Sequence, residues 1–199
     1  MDTLPFSQAC ENNKAAILET IAPRLAAVDE VLEIGSGTGQ HACYLAQNLP
    51  GLLWQPTELE QNRKVLQPRL QAYGGSNLRP AVSLDVCQRP WPLAIPQAVF
   101  TANTLHIMPF EAVQSLFAYL GEASAAGTLL LVYGPFNYEG RYTSESNASF
   151  DDWLREWDAR SAIRDFEQVD VLARSAGYTL LQDKAMPANN RLVLWQHSA

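Results

Sequence analysis

The sequence contains few cysteines and no long apolar segment, and each of these absences excludes a class of protein. Its three cysteines, Cys10, Cys43 and Cys87, are odd in number and far apart, which argues against a disulfide framework and against a zinc site. No apolar run approaches the roughly 18 residues of a membrane helix, and the chain does not start with a basic segment followed by an apolar core. We therefore expect a soluble, cytoplasmic protein with no metal ion and no membrane partner.

The sequence also lacks an excess of positive charge. Acidic residues outnumber basic ones by 21 to 14, and the formal net charge is −7. Such a balance disfavours binding to a phosphate backbone, so nucleic acid is not an expected partner. With 199 residues, 47% of them hydrophobic, the chain suits one domain with a sizeable core over residues 1–199. Composition leaves the oligomeric state open.

Short apolar stretches alternate with helical stretches along most of the chain. The predicted strands are 30–34, 52–57, 81–84, 98–102 and 128–133, and the predicted helices are 11–27, 38–49, 59–73 and 110–123. This alternation is typical of right-handed βαβ units with a parallel sheet.

The last part of the chain follows a different pattern. Helices that begin near Ser149 and Asp165 precede two strands, 178–182 and 192–196, whose short connection predicts antiparallel pairing. We therefore expect an α/β, Rossmann-like fold with a seven-stranded, mostly parallel sheet. A C-terminal antiparallel strand pair completes that sheet, and helices cover both faces.

A glycine-rich segment, residues 33–39, joins the first strand to the following helix. Its candidate cofactor-binding residues are Glu33, Gly35, Ser36, Gly37 and Gly39. Glycines there allow a tight turn and a close approach of a ligand to the backbone. The dinucleotide fingerprint would need a glycine where the chain has Gln40, and no lysine follows as in a phosphate-binding loop. Nicotinamide dinucleotide binding is therefore disfavoured, and the competing interpretation is a purely structural turn.

Polar residues follow the next three predicted strands. Glu58 ends the second strand, where an acid can accept hydrogen bonds from a ribose diol. Asp85 ends the third strand and either accepts from an adenine amine or serves as a turn residue. Asn103, just after the fourth strand, completes the predicted cofactor rim.

These residues resemble the motifs of a known class of enzymes. Residues 33–39 with Glu58 and Asp85 look like the class I S-adenosylmethionine-dependent methyltransferases. More closely, residues 6–196 resemble the small uncharacterised family that includes methyltransferase-like protein 26. The stretches that carry this resemblance are 12–14, 17–18, 36–42, 53–56, 103–107, 133–136, 146–147, 150–151, 163–167 and 186–190. The chain departs from the family pattern at 108–110 and 158–162. The resemblance implies S-adenosylmethionine as cofactor and S-adenosylhomocysteine as product, and it gives no substrate.

The remaining polar candidates belong to the predicted acceptor side. His106 follows Asn103 by three residues and is the candidate base, since an ordinary imidazole pKa of about 6.5 suits neutral pH. Its alternative role is to bridge backbone groups beneath the loop. Tyr133, Asn147, Asn189 and Asn190 are candidate substrate-binding residues, although asparagine pairs are also ordinary turn residues.

Two segments are expected to cover the site. Residues 134–150 read as a loop over the acceptor, because long segments without periodicity are often functional. Residues 1–28 read as an N-terminal helical lid, in which Asn13 contacts the methionine carboxylate of the cofactor.

The sequence as a whole predicts a methyltransferase. We expect in-line transfer of a methyl group from S-adenosylmethionine to an unidentified acceptor. The compact, acidic chain disfavours a nucleic-acid substrate, so we expect a small molecule, with a protein substrate left open. The alternative is a non-catalytic S-adenosylmethionine-binding sensor or interaction module.

Overall fold

The architecture of the protein comes from a computed structural model that describes residues 4–198. The helices are α1 (Gln8–Ile21), α2 (Gln40–Asn48), α3 (Arg63–Tyr73), α4 (Phe110–Ala123), α5 (Glu145–Trp157) and α6 (Phe166–Ser175). The strands are β1 (Glu30–Glu33), β2 (Leu53–Glu58), β3 (Val82–Ser83), β4 (Ala98–Ala102), β5 (Leu129–Gly134), β6 (Phe136–Asn137), β7 (Arg164–Asp165), β8 (Tyr178–Met186) and β9 (Asn190–His197).

Seven of these strands form one mostly parallel sheet, in the order β3-β2-β1-β4-β5-β9-β8. The expected α/β fold with a C-terminal antiparallel pair is therefore confirmed. The chain divides into two compact units between Phe100 and Thr101, within β4. The single domain over residues 1–199 stays a prediction.

The N-terminal unit is built on parallel pairing around β1. Val31 pairs with Trp54 of β2 on one side and with Ala98 of β4 on the other. Trp54 and Phe100 are fully buried and meet edge to face, with ring centroids 5.6 Å apart. Because β1 and β2 run parallel, their carboxyl ends place Glu33 and Glu58 at the same edge of the sheet.

The C-terminal unit is built on an antiparallel hairpin. β9 pairs with β5 over six residues, from Leu129 to Gly134, and with β8 along its whole length. Trp195 of β9 is fully buried, and its indole N–H donates to Asp170 of α6 (2.9 Å). A separate two-stranded pairing joins β6 to β7 in parallel.

Several predicted boundaries differ from the structure, those of α1 and α5 among them. α1 begins at Gln8, because the Ser7 hydroxyl accepts from the Cys10 N–H and caps the helix. The helix ends at Ile21. α5 is capped by Ser144, whose hydroxyl accepts from Asn147 N–H, so the expected start near Ser149 is wrong.

Residues 134–150 are consequently not a continuous loop. They include β6 and the first residues of α5. The predicted lid over residues 1–28 begins outside the described residues, and its described part contains α1. No helix of the described segment, 4–198, is long and apolar enough to cross a membrane.

Candidate functional site

The glycine-rich loop of the N-terminal unit contains three left-handed glycines that serve different purposes. Gly35, Gly37 and Gly39 have φ of 71°, 53° and 78°. A Cβ on Gly39 would lie 2.7 Å from Leu66 Cδ1, so this glycine is required by packing against α3. A Cβ on Gly37 would meet nothing within 4 Å. Gly37 therefore faces open space, which is what close approach of a ligand requires.

The carboxyl group of Glu33 ties this loop to the sheet. It accepts hydrogen bonds from Trp54 Nε1 and from the Ser36 hydroxyl, both at 2.9 Å. The Ser36 hydroxyl in turn accepts from Thr57 N–H (3.2 Å), and the Thr57 hydroxyl donates to the Glu33 carbonyl (2.6 Å). Glu33 and Ser36, both predicted to bind the cofactor, thus have internal partners that hold the loop.

The burial of Glu33 has an electrostatic consequence. The side chain is 2% exposed, and desolvation, reinforced by the nearby Glu58 charge, raises its pKa to about 7. The two hydrogen bonds that it accepts oppose this rise. The group therefore titrates near neutral pH.

Glu58, at the end of β2, binds the backbone of the glycine-rich loop. Its Oε2 accepts from Gly37 N–H (2.8 Å), and its Oε1 accepts from Leu59 N–H (2.8 Å) and Asn62 Nδ2 (3.3 Å). A carboxylate has about four lone-pair sites, so Oε2 retains one of its two. Displacement of the long Asn62 contact would free a second site on Oε1.

The other predicted residues of this unit have partners of their own. Both oxygens of Asp85 accept within the following turn, from Cys87 N–H (2.9 Å) and Gln88 Nε2 (3.1 Å). These are the contacts of a turn residue, and each oxygen retains capacity for another donor. Asn13 is buried, with its Oδ1 2.6 Å from His41 Nε2. Burial lowers the pKa of His41 to about 4, so the neutral ring donates to Asn13.

Gln40 attaches the N-terminal segment to the glycine-rich loop. Its Oε1 accepts from Ser7 N–H (2.6 Å) and from the Thr38 hydroxyl (3.0 Å). Its Nε2 donates to Glu11 Oε1 (2.8 Å). The sequence motif marked Gln40 only as an absent glycine, and nothing local indicated this role.

The C-terminal unit contains the candidate base in a short loop after β4. Asn103 begins this loop with a φ of 55°, a conformation that asparagine tolerates well, and its N–H donates to Tyr133 O (2.8 Å). His106 is 5% exposed and meets Phe150 edge to face, with ring centroids 5.3 Å apart. Burial and the charge of Arg164 lower the pKa of His106 to about 4. The imidazole is therefore neutral at pH 7 and is a weak base.

Arg164 of β7 holds the loop that carries His106. Its guanidinium donates to the backbone carbonyls of Leu105 (3.1 Å), Met108 and Arg160 (3.0 Å). The Ala162 N–H donates to the His106 carbonyl (3.0 Å). Arg164 is buried, and its role is to support the loop.

The remaining predicted acceptor residues come together only in part. Asn147 Nδ2 donates to the Asn189 carbonyl (3.2 Å), and Asn189 Nδ2 lies 3.4 Å from the Ser146 hydroxyl. Asn190 instead donates to carbonyls of its own turn. Tyr133 is 1% exposed.

Comparison with known proteins gives the family. Residues 4–197 match the family described as "Protein of unknown function (DUF938)", and the chain belongs to that family. The closer likeness to methyltransferase-like protein 26 stays a prediction.

Solved structures share the fold at low sequence identity. The S-adenosylmethionine-dependent methyltransferase SibL in its apo form is 22% identical with a TM-score of 0.78, and 96% of this chain covers 56% of that one. Human N-acetylserotonin methyltransferase in complex with SAM is 16% identical with a TM-score of 0.81, and 96% of this chain covers 53% of it. The mitomycin 7-O-methyltransferase MmcR is 15% identical with a TM-score of 0.79, and 94% of this chain covers 54% of it. The chain thus spans a little over half the length of these proteins.

The raised pKa of Glu33 leads to a prediction about how the stability of the protein changes with pH. The folded-state pKa of about 7 exceeds the unfolded value of about 4.3, so the group's contribution to stability is present below pH 4 and is lost as the pH rises through 7. The loss is on the order of 4 kcal/mol, since one pKa unit is about 1.4 kcal/mol. Glu33→Gln removes this titration, so the variant should gain stability relative to the wild type between pH 5 and pH 8. Urea unfolding at both pH values measures the difference.

Glu30→Gln is the matched control on the same strand, because Glu30 forms a partly exposed ion pair with Arg79. We expect it to change the unfolding free energy by less than about 1 kcal/mol at both pH values. A Glu33→Gln stability profile parallel to that of the wild type would contradict the assignment.

The position of Arg164 makes a second prediction. Arg164→Leu removes the donor from three backbone carbonyl groups, of which that of Leu105 is in a buried hydrogen bond, so we expect unfolding to become easier by about 2–4 kcal/mol. Arg160→Leu is the control, since its side chain is 70% exposed and should change stability by less than about 0.5 kcal/mol. Urea denaturation measures both variants, and equal midpoints would refute the supporting role of Arg164.

Proposed function

We propose that the protein is an S-adenosylmethionine-dependent methyltransferase that acts on a small molecule. The observation that carries the proposal is Gly37: its left-handed backbone faces open space while its N–H is held by the Glu58 carboxylate. The fold shared with methyltransferases supports the cofactor, and two of the similar structures are named for methyl transfer to small molecules, N-acetylserotonin and mitomycin.

The residues of the glycine-rich loop fit this cofactor. The lack of a side chain at Gly37 leaves room for a ligand against the backbone. Glu58, 8% exposed, has one free lone-pair site for a ribose hydroxyl, and a second is released if Asn62 moves away. Residues 33–39 contain one charged side chain, the buried Glu33. Because the loop offers no positive charge, it suits a nucleoside better than a pyrophosphate.

Methyl transfer requires little of the protein beyond alignment of the acceptor atom with the methyl group. When bound, the cofactor supplies an electrophilic methyl group, and transfer requires the acceptor atom in line with the breaking bond. Asn103 and Asp85 are proposed to contact the nucleoside, and Asn13 the methionine carboxylate. His106 is proposed to accept the acceptor's proton, with Tyr133, Asn147, Asn189 and Asn190 orienting the acceptor.

The first test is calorimetric titration of the cofactor-stripped protein with S-adenosylhomocysteine, with nicotinamide dinucleotide as the control ligand. We expect micromolar affinity for the former alone. Preferential binding of the dinucleotide would overturn the proposal.

Gly37→Val tests the loop directly. A β-branched side chain would project into the open space, so we expect the affinity for S-adenosylhomocysteine to fall at least 100-fold in the same titration. Gly140→Val is the matched control, because Gly140 also has a positive φ, 69°, and an open Cβ position. It introduces similar backbone strain away from residues 33–39 and should bind as the wild type does. Equal affinities of the two variants would remove the loop from the site.

Glu58→Gln tests the ribose contact. An amide has one acceptor oxygen in place of two, so we expect binding of S-adenosylhomocysteine to weaken by about 1–3 kcal/mol, roughly 5- to 150-fold. Glu60→Gln is the control, because Glu60 is an exposed carboxylate whose side chain interacts with Arg63 and Ser83. An unchanged dissociation constant for Glu58→Gln would exclude this carboxylate from the site.

A further inference from the structure

One side of α5 is aromatic and solvent-exposed. With 100° between successive residues, Ser146, Phe150, Trp153 and Trp157 fall within about 60° of one another on the helix; we call these four residues the aromatic flank. The flank adjoins the buried face of α5, formed by Asn147, Asp151 and Leu154. It contains no charged residue, since the acidic residues of the exposed face lie on another side of the helix.

The rings of the aromatic flank continue outward from the candidate base. Phe150 meets His106 edge to face, and Trp153 stacks on Phe150 with ring centroids 5.8 Å apart and planes 14° apart. Trp153 is 57% exposed and Trp157 is 67% exposed. Large aromatic side chains usually bury most of their area, so an exposed pair on one side of a helix is unusual for a merely structural surface.

The other end of the aromatic flank reaches the β8–β9 turn. The Ser146 hydroxyl lies 3.4 Å from Asn189 Nδ2, and the neighbouring Asn147 donates to the Asn189 carbonyl. His106 and Asn189, which are predicted separately to meet the acceptor, therefore both contact α5. Asn147, a third residue predicted to meet the acceptor, belongs to that helix. The aromatic flank is continuous with this set.

The chemistry of the aromatic flank selects a class of ligand. Exposed indole and phenyl faces favour a flat ring that stacks in an offset arrangement. Without charged groups the flank offers no ion-pair partner to a carboxylate or a phosphate. A neutral, weakly basic imidazole assists only a nucleophile whose proton is already fairly acidic. A ring hydroxyl, with a pKa of about 10 like that of tyrosine, meets this condition far better than an aliphatic alcohol.

We propose that the aromatic flank of α5 is the acceptor-binding surface and that the acceptor is an uncharged, planar aromatic molecule with a ring hydroxyl. The inference rests on the methyltransferase function proposed above. The hydroxyl oxygen forms a bond to the methyl carbon, and the carbon–sulfur bond breaks with its electron pair remaining on sulfur. The hydroxyl proton passes to the His106 ring and then to solvent, so the products are an aryl methyl ether and S-adenosylhomocysteine.

The test uses 2-naphthol as the probe and decahydro-2-naphthol as its non-planar counterpart. With the full chain saturated in S-adenosylhomocysteine, calorimetry should give measurable binding of 2-naphthol and at least tenfold weaker binding of the saturated alcohol. Equal binding of the two alcohols, or no binding of 2-naphthol at millimolar concentration, would overturn the proposal.

Trp153→Ala localises the binding. We expect at least a tenfold loss of affinity for 2-naphthol with unchanged affinity for S-adenosylhomocysteine. Tyr73→Ala is the matched control, because Tyr73 is also an exposed aromatic residue at 52% exposure but belongs to α3; it should bind both ligands as the wild type does. Unchanged 2-naphthol binding by Trp153→Ala would refute the flank as the binding surface.

Two further outcomes separate this proposal from the function on which it rests. If the wild type does not bind S-adenosylhomocysteine, the methyltransferase proposal itself fails. If light scattering shows a wild-type dimer that Trp153→Ala converts to a monomer, the aromatic flank is a self-association surface and the acceptor proposal is wrong.

Discussion

The buried carboxyl group of Glu33 is the constraint on which the N-terminal unit depends. It accepts hydrogen bonds from both Trp54 and Ser36, and the Ser36 hydroxyl in turn accepts one from the Thr57 N–H. A left-handed turn such as that at Gly37 has little packing of its own, so its shape has to be imposed by neighbours. Desolvation of a carboxylate is costly, and this cost appears as the raised pKa of Glu33, which the two hydrogen bonds that it accepts offset only in part.

Arg164 has the corresponding role in the C-terminal unit, where a guanidinium in place of a carboxylate supports a loop. In the loop after β4, the backbone carbonyls of Leu105 and Met108 both accept hydrogen bonds from the guanidinium. The same cation also depresses the pKa of His106. Arg164 therefore supports the loop and also adds to the effect of burial, the larger cause of the weak basicity of the imidazole. The fixed fork of donors on arginine explains why a lysine would not replace it well.

Much of the fold could be predicted because its signals are local. The bounds of α4, Phe110–Ala123, match the predicted helix 110–123, since periodic apolar residues fix one buried face. The start of α5 could not be chosen correctly, because Ser144 and Ser149 are both acceptable caps and only the tertiary structure decides between them. The position of Glu58 at the end of β2 could be predicted from the alternation of strand-like and helical stretches along the chain. The burial of Arg164 has no local signal in the sequence.

The glycines show why a motif predicts a site better than it predicts individual roles. Gly37 and Gly39 belong to the same short segment and both have positive φ. Gly39 is required because Leu66 occupies the space of a side chain, whereas the space beside Gly37 is empty. A packing requirement and a binding requirement therefore produce the same residue type two positions apart. Only the surroundings of each Cβ position distinguish them, and these surroundings come from α3, more than twenty residues further along the chain.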